Sequence, residues 1–446
     1  MTGTPAFDAA ALLRSHAPWL CAAELLTCLV GSQALAVACR THGVAGPNPV
    51  DVDLAWALAP EQGTALLQQH GVFVPTTVGN QERGTLAAKI GGRRIEITTF
   101  RGPDRDAPLV ARLHADLAER DMTIGALAVE LATGTVHDPQ HGLDHWRQRR
   151  IVAVGDATAR VREHAIRWLR YYRKAHELGC TLDRSLRWLS TKLSPELLTT
   201  LPKEAVALEL RAMLGKCRSP GRCLLELYED GVLAAIAPEL ALQFDGRPAG
   251  PQRWHPEVSQ ALHMVLALEW AAANTHDLDE RERLAVLLAV LCHDLGKGLT
   301  PAAEWPQHKG HEHAGIAPTE RFLDRWPGLA DQKARTLAVH VCALHLEVRR
   351  FHELRPGTLA ELYDRWFRGK DYPVDLFARA VAADTAGRLG CEHLGMGERE
   401  RVVRDLEWLR ARCASVDANA LRERFPDLEK FKAALHEARA RALHRG

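Results

Sequence analysis

The chain has no Cys-x-x-Cys pair and no short cysteine-dense module; its 10 cysteines are scattered over 446 residues. Scattered thiols read as buried side chains in a reducing compartment, which excludes a disulfide framework or a cysteine zinc site. Long apolar runs are also missing, because charged residues interrupt every hydrophobic stretch before it reaches bilayer-spanning length. Residues 1–14 lack a cationic segment followed by an apolar core, so no secretory leader is expected and a cytoplasmic protein is the default. A large charge of either sign is absent too. The net charge of +1 excludes a strongly basic protein but leaves a local basic patch open. There is no internal repeat and no low-complexity tract.

What is present is ordinary globular sequence of considerable length. Hydrophobic content of 46% and charged content of 25% suit a folded protein, and 446 residues exceed one core, implying two to four domains. Up to about residue 100 the patterns mix strand and helix. Residues 25–30 form a short apolar run ending at Gly31-Ser32, residues 33–41 read as a helix, and residues 50–58 alternate as a strand. Residues 85–90 and 94–100, separated by Gly91-Gly92, read as a hairpin. From residue 111 onward helical patterns dominate, including one long helix over residues 160–178 with Arg160, Arg167, Arg170 and Arg173. Residues 243–252 are rich in Gly and Pro and mark a boundary.

The most informative stretch is Leu291-Cys292-His293-Asp294-Leu295-Gly296-Lys297-Gly298. Adjacent His and Asp place an imidazole and a carboxylate at one point of the backbone, a pair used by divalent cations and phosphate-ester chemistry. The apolar run 284–291 reads as a buried helix delivering that pair to a pocket. Candidate partners are His263 upstream, then His308, His311, His313, His340, His345 and Asp384. A His-Asp dipeptide also arises by chance in chains of this size; the Gly-Lys turn and the ordered distal ligands favour a metal site. The order His … His-Asp … His … His … Asp resembles the HD phosphohydrolase superfamily.

A second constellation lies near the N-terminus. Asp51-Val52-Asp53 sits on the alternating strand, so both carboxylates project to one face while Val50, Val52 and Leu54 face a core. Two parallel carboxylates suit a pair of Mg²⁺ ions in phosphoryl or nucleotidyl transfer. Upstream, Gly31-Ser32 opens a helix whose N–H groups and hydroxyl face a triphosphate. This Gly-Ser, spacer, Asp-x-Asp pattern resembles the nucleotidyltransferase fold shared with polymerase beta. Glu96 is a third carboxylate that either supports the metal pair or is simply solvated.

Between the two sites, Gly84-Thr85, Ile95-Glu96-Ile97-Thr98-Thr99-Phe100-Arg101 and Asp116-Leu117-Ala118-Glu119-Arg120-Asp121-Met122-Thr123-Ile124 resemble motifs of bacterial tRNA nucleotidyltransferases, the CCA-adding enzymes and related poly(A) polymerases. Asp138-Pro139 with Gly142-Leu143-Asp144 is similar to their neck, and Glu163 … Arg167 … Arg170 … Arg173 to their nucleotide-reading helix. Trp254-His255-Pro256-Glu257, Trp305 to Glu312, and Ala383-Asp384 with Gly387-Arg388 resemble the HD domain of multifunctional members of that family.

The resemblance implies an α+β protein: a polymerase-beta-like α/β head (1–125), a helical neck and RNA- or nucleotide-binding body (126–245), an HD domain (250–395) and a helical tail (396–446). It implies Mg²⁺ on Asp51 and Asp53, and nucleotide contacts from Gly31, Ser32, Arg120, Asp121, His164, Arg167 and Arg170. It further implies a divalent ion such as Mg²⁺, Mn²⁺ or Ni²⁺ on His263, His293, Asp294 and Asp384, supported by His311 and His345. His345 is preferred to His340 by its place in the family-like segment; His308 and His313 are expected on the solvent side, and Trp254 and Trp305 as packing residues. The implied partners are tRNA, CTP and ATP, with no membrane, as a monomer or homodimer. The HD site would hydrolyse a 2′,3′-cyclic phosphate, a 2′-nucleotide or a related ester.

Departures from the family pattern are equally specific. Gly31-Ser32-Gln33-Ala34-Leu35-Ala36 lacks the usual Arg-Asp, Glu119 replaces an arginine, Gly125 replaces an asparagine, and His164 stands where the family has an aspartate. His cannot supply a two-acceptor carboxylate to a base edge. Three alternatives therefore stay open: altered nucleotide choice such as A-addition only, an HD hydrolase with a degenerate RNA-binding head, and a non-enzymatic tRNA-binding module.

Overall fold

The computed structural model describes residues 7–75, 84–102 and 104–444, and the chain divides into two compact units, Met1–Ser194 and Pro195–Gly446.

The first unit is built on one six-stranded sheet. Its strands are β1 (Cys28–Val30), β2 (Val52–Trp56), β3 (Thr85–Ile90), β4 (Arg93–Thr99), β5 (Ala128–Glu130) and β6 (Val136–His137), in the order β3-β4-β2-β1-β5-β6. Within this sheet, among the described residues, the β2–β4 pair is parallel and the others are antiparallel. The β3–β4 hairpin forms as the sequence implies, with Gly91 and Gly92 both at positive φ (57° and 78°), as a two-residue turn matching strand twist requires. Helix α1 (Gly31–Thr41) follows β1 directly, and α2 (Leu109–Ala118) packs Leu113 and Leu117 with Cys28, Val30, Ala55 and Phe100 in a fully buried cluster.

Two expectations fail here, and a third needs qualifying. Val50 is 66% exposed and lies outside β2, so it does not join Val52 and Leu54 in the core. Helix dominates after residue 111 as expected, but the sheet continues past that point: β5 pairs with β1 and extends it. Its strands are too short, at three and two residues, to show a period-2 pattern. The helix expected over residues 160–178 is two helices, α3 (Ala157–Glu163) and α4 (Ile166–Leu178). The break falls at His164, whose backbone is extended (φ −145°, ψ 95°); arginine periodicity carries no signal for such a kink.

The second unit is helical, and the helices that matter here are α5 (Gln260–Ala273), α6 (Glu280–Cys292), α7 (Gln332–Arg349), α8 (Val374–Ala386) and α9 (Gly395–Ala414). The Asp279 carboxylate caps α6 by accepting from Glu282 N at 2.8 Å. Residues 284–292 of α6 are all buried, because α5, α7 and α8 pack around it. A helix apolar on every face needs such a surround. Trp254, expected to pack, is instead 56% exposed. The helical tail begins with a packed helix: Val402, Leu406 and Leu409 of α9 are buried, and α9 packs on α8. Among the described residues no helix is long and apolar enough to cross a membrane.

Leu287, fully buried in α6, tests this arrangement. Leu287→Ala should lower the stability read from urea denaturation by about 2–5 kcal/mol. Leu208→Ala, at a position 66% exposed, should stay within about 0.5 kcal/mol of the parent.

Candidate functional site

In the helical unit, six side chains from five segments converge. His263 comes from the first turn of α5, His293 and Asp294 from the end of α6, His311 from a short helix (His311–Ala314), His345 from α7 and Asp384 from α8. All six are buried. His263 Nε2 lies 3.3 Å from His293 Nε2 and 3.3 Å from Asp384 Oδ1. Asp294 Oδ2 lies 3.1 Å from His293 Nε2, while its other oxygen lies 3.1 Å from His311 Nε2 and 3.7 Å from His345 Nε2. The ligand atoms thus form two triads that share Asp294: His263–His293–Asp294 and Asp294–His311–His345.

The other ring nitrogens explain the orientation. His263 Nδ1 faces Gly387 O at 3.1 Å, His293 Nδ1 faces Val290 O at 2.6 Å, and His311 Nδ1 faces His308 O at 2.8 Å. His345 Nδ1 faces the carbonyls of Val341 and Cys342, each at 3.1 Å. A carbonyl only accepts, so each Nδ1 carries a proton, and in the neutral ring this leaves the Nε2 lone pair turned toward the cluster. That is how protein folds orient imidazoles for metal binding. His311 Nε2 is buried without a hydrogen-bond partner among the described residues. Burial pushes the His345 imidazole down to about 3, so it is neutral at pH 7. His263 runs the other way: burial lowers it, but hydrogen bonds to Asp384 and Glu257 raise it above the ordinary value. The donor set of imidazoles and carboxylates fits a divalent cation.

Asp294 is held by more than histidines. Lys297 Nζ donates to its Oδ2 at 2.6 Å and Gln260 Nε2 at 3.1 Å; Lys297 also donates to Ala249 O at 2.6 Å and to Gln260 Oε1 at 3.0 Å. Burial would raise the Asp294 carboxyl, yet His293 and Lys297 hold it well below the usual range. Asp384 is likewise kept low against burial, chiefly by Arg349, whose Nη1 lies 3.0 Å from Oδ2. The Gly-Lys turn is compulsory: a Cβ on Gly296 would fall 1.8 Å from His311 O.

His308 is a correction. It is 1% exposed rather than on the solvent side, because Nε2 donates to Pro248 O at 2.8 Å and its own carbonyl anchors His311. His313 keeps a half-exposed side chain, and His340 packs on Tyr372 and Trp366. Sequence reasoning missed Glu257, Lys297 and Arg349 as parts of the site. Glu257 Oε1 accepts from His255 Nδ1 at 2.7 Å and lies 3.2 Å from His263 Nδ1. Arg349 stands one helical turn after His345, and Lys297 three residues after Asp294; both spacings were readable.

In the head, the parallel register sets Asp53 opposite Glu96, which puts both carboxylates on one face. Asp51 lies just before β2 and is exposed. Asp53 is raised by burial first, then by the charges of Glu96 and Asp51. Three carboxylates that repel one another, with Asp53 in no ion pair among the described residues, suit a cation. Gly31 sits at φ +62°, and a Cβ there would lie 3.6 Å from Asp53 Oδ2, so the first turn of α1 lies beside the carboxylate. Gln33, another residue missed, ties that turn to the acidic segment by donating Nε2 to Pro49 O (3.1 Å) and Asp51 O (3.0 Å). Ser32 is exposed in the same turn.

Arg120, Arg160, Arg167 and Arg170 are each engaged in an ion pair. Arg120 donates to buried Asp116 at 2.9 Å. Arg170 donates to Asp121 at 2.8 Å, and Tyr171 donates its hydroxyl to Asp121 O at 2.9 Å. Burial raises Asp121, but Arg170 outweighs it and the carboxyl stays below its ordinary value. Arg167 is buried, donating to Glu163 at 2.6 Å. His164 is exposed at the break between α3 and α4. Glu119, at the position where an arginine is missing, accepts from Arg160 at 3.3 Å.

Comparison with known proteins matches residues 43–152 to the poly A polymerase head domain. A multifunctional CCA protein of Xanthomonas campestris pv. campestris (strain B100) is 37% identical over 299 residues, spanning 66% of this chain and 70% of that protein. Another, from Xanthomonas euvesicatoria pv. vesicatoria (strain 85-10), is 34% identical over 350 residues, spanning 77% and 81%. Among solved structures, the Bacillus stearothermophilus CCA-adding enzyme in complex with CTP superposes with a TM-score of 0.66 at 22% identity, covering 99% of this chain and 93% of that one. The Thermotoga maritima CCA-adding enzyme complexed with tRNA gives 0.61 at 15% identity, covering 99% and 94%. At those identities the structural likeness speaks for the fold.

The convergence of Nε2 atoms sets an expectation for metal binding. After dialysis against Mn²⁺ or Ni²⁺ and desalting, the wild-type chain should retain the ion by elemental analysis. His293→Ala and Asp294→Ala should each lower affinity by about 10-fold or more, since losing an outer partner alone typically costs 10–100-fold. His313→Ala should leave the metal content unchanged.

Proposed function

The chain belongs to the CCA-adding tRNA nucleotidyltransferase family, and on that premise we propose a division of labour between its two units. The head transfers nucleotides from CTP and ATP to the 3′ end of tRNA. The helical unit hydrolyses phosphate esters of the 2′,3′-cyclic phosphate or 2′-nucleotide class. The observation that carries the second half is the set of four imidazoles with Nδ1 committed to backbone carbonyls and Nε2 turned to Asp294 and Asp384.

In the head, Asp51 and Asp53 would hold Mg²⁺, with Glu96 on the same face. The ions supply Lewis acidity to the α-phosphate and to the attacking 3′-hydroxyl. The chain's own part is positional. Gly31 lets the first turn of α1 lie beside Asp53, offering backbone N–H groups to phosphate oxygens. Gln33 holds the Asp51 backbone from that same turn. Asp121 fixes Arg170, and Glu163 fixes Arg167, so that guanidinium groups on α4 stay in place near the break carrying His164. The pyrophosphate leaves as the new phosphodiester forms.

In the helical unit, His263, His293, Asp294 and Asp384, with His311 and His345, would hold a divalent ion. That ion supplies Lewis acidity to the ester phosphate and the attacking water. Lys297 and Gln260 hold Asp294 in one orientation, and Glu257 does the same for His263.

Two experiments test this. With tRNA lacking its 3′ end, labelled triphosphates and Mg²⁺, Asp53→Ala should reduce addition by about 10³-fold or more, the scale of several kcal/mol of lost charge stabilisation. Hydrolysis of 2′,3′-cyclic AMP should be unchanged in that variant; loss of both activities in a folded Asp53→Ala protein would show that the division is wrong.

His164→Asp should shift the incorporation profile toward CTP and ATP, because an ionised carboxylate accepts from the exocyclic amino groups that C and A share. The comparison is of all four triphosphates with both proteins. An unchanged profile would remove His164 from base recognition. Addition of A alone by the wild type would mark this head as one of altered specificity.

A further inference from the structure

One cation beside the buried cluster makes no hydrogen bond through its Nε among the described residues. Arg388 is half-buried, its Nε is buried without a hydrogen-bond partner, and it enters no ion pair among the described residues. Leaving a buried donor unsatisfied is costly, and more so on a charged group. Yet Arg388 lies within electrostatic reach of Asp384, Arg349 and Glu257, so the chain accepts two guanidinium groups close together at the edge of the site.

The backbone on either side of Arg388 is pinned. Gly387 O accepts from His263 Nδ1 at 3.1 Å, and Leu389 N donates to Glu257 Oε2 at 3.2 Å. Glu257 in turn lies 3.2 Å from His263 Nδ1 through its other oxygen. Gly387 itself must be glycine, since a Cβ would fall 2.7 Å from Ala267 Cβ and 2.9 Å from its backbone. The carrier of Arg388 is therefore fixed to His263 on one side and to that histidine's partner on the other. Arg349 is fixed by a different link, donating Nη1 to Asp384 Oδ2 at 3.0 Å. Both guanidiniums are thus located by the residues of the cluster, and one keeps an open donor.

We propose that Arg388, with Arg349 beside it, is the phosphate-recognition element of the helical unit, receiving the non-bridging oxygens of an ester held at the His/Asp cluster. This rests on the hydrolase reading above for its substrate but not for its chemistry. A planar guanidinium with free donors matches a phosphate's oxygens in number and geometry, which an ammonium does not. The missing partner is an anion with several acceptors, and a phosphate oxyanion beside a divalent-cation site meets that requirement.

The test uses the full chain with inorganic phosphate and with 2′,3′-cyclic AMP. Phosphate should raise the Tm of the wild type, with and without EDTA, and Arg388→Met should abolish that rise. Without phosphate, Arg388→Met should melt at or above the wild-type temperature, because it removes an unpartnered buried charge; a purely structural arginine would give a fall. With the metal loaded, KM for 2′,3′-cyclic AMP should increase roughly 10- to 100-fold, as expected for lost charge-assisted hydrogen bonds. The kcat should change less, metal content should stay constant, and Arg388→Lys should recover part of the KM. An equal phosphate-induced Tm rise in Arg388→Met, or an unchanged KM, overturns the proposal while leaving hydrolysis intact. If the wild type hydrolyses no ester with any divalent ion while phosphate stabilisation still requires Arg388, the hydrolase reading falls and the anion site stands.

Discussion

The helical unit depends on one buried carboxylate. Asp294 is 2% exposed, and an ionised group so placed costs several kcal/mol unless it is compensated. Lys297, Gln260 and the surrounding imidazoles supply that compensation. Gln260 comes from α5, His311 from its short helix and His345 from α7, so satisfying Asp294 fixes the placement of those segments relative to the end of α6. The buried run of α6 provides the rigid support: an apolar helix surrounded by three others cannot rotate without exposing its core. Removing one partner of such a pair is strongly destabilising, while the full set is self-consistent.

The same logic operates in the head with opposite sign. Asp51, Asp53 and Glu96 form an excess of negative charge that the described protein does not neutralise in full. Burial, and then repulsion from Glu96 and Asp51, raises Asp53. Stability is surrendered there, and the sheet around it makes up the loss: Cys28, Leu29, Leu54, Ala55 and Ile97 are fully buried. Arg94 pairs with Glu96 at 2.8 Å, while Arg120, Arg170 and Arg167 are committed to Asp116, Asp121 and Glu163. Each unit thus holds an unbalanced charge where chemistry is expected: carboxylates in the head, and a guanidinium beside the His/Asp cluster in the other. Perturbed and uncompensated groups concentrate at functional sites for this reason.

The departures from the family pattern acquire a structural setting. Glu119, in place of an arginine, accepts from Arg160. Gln33 occupies the helix that lacks the usual Arg-Asp and bonds the backbone of Asp51. His164 lies at a helix break rather than mid-helix, where its side chain is exposed. The substitutions cluster along the head, whereas His263, His293, Asp294 and Asp384 meet as a single set.

Much of this was legible in the residues themselves. The His-Asp pair after an apolar run, the ordered distal histidines, the Gly91-Gly92 hairpin and the strand bearing Asp53 all follow from local chemistry: periodicity, turn preference and ligand type act over a few residues. What local pattern could not reach was decided by long-range contact. His308 is buried because Pro248, 60 residues earlier, accepts its Nε2. Val50 is exposed because β2 begins two residues later. The short strand β5 joins the sheet because β1 pairs with it across about 100 residues of chain. Glu257 and Arg388 belong to the cluster because α5 and the end of α8 close on each other through His263 and Gly387. Sequence determined which chemistries were available, since side-chain type and spacing are written in the chain; tertiary structure decided which groups share one buried space, since desolvation and hydrogen bonding act only between groups the fold brings together.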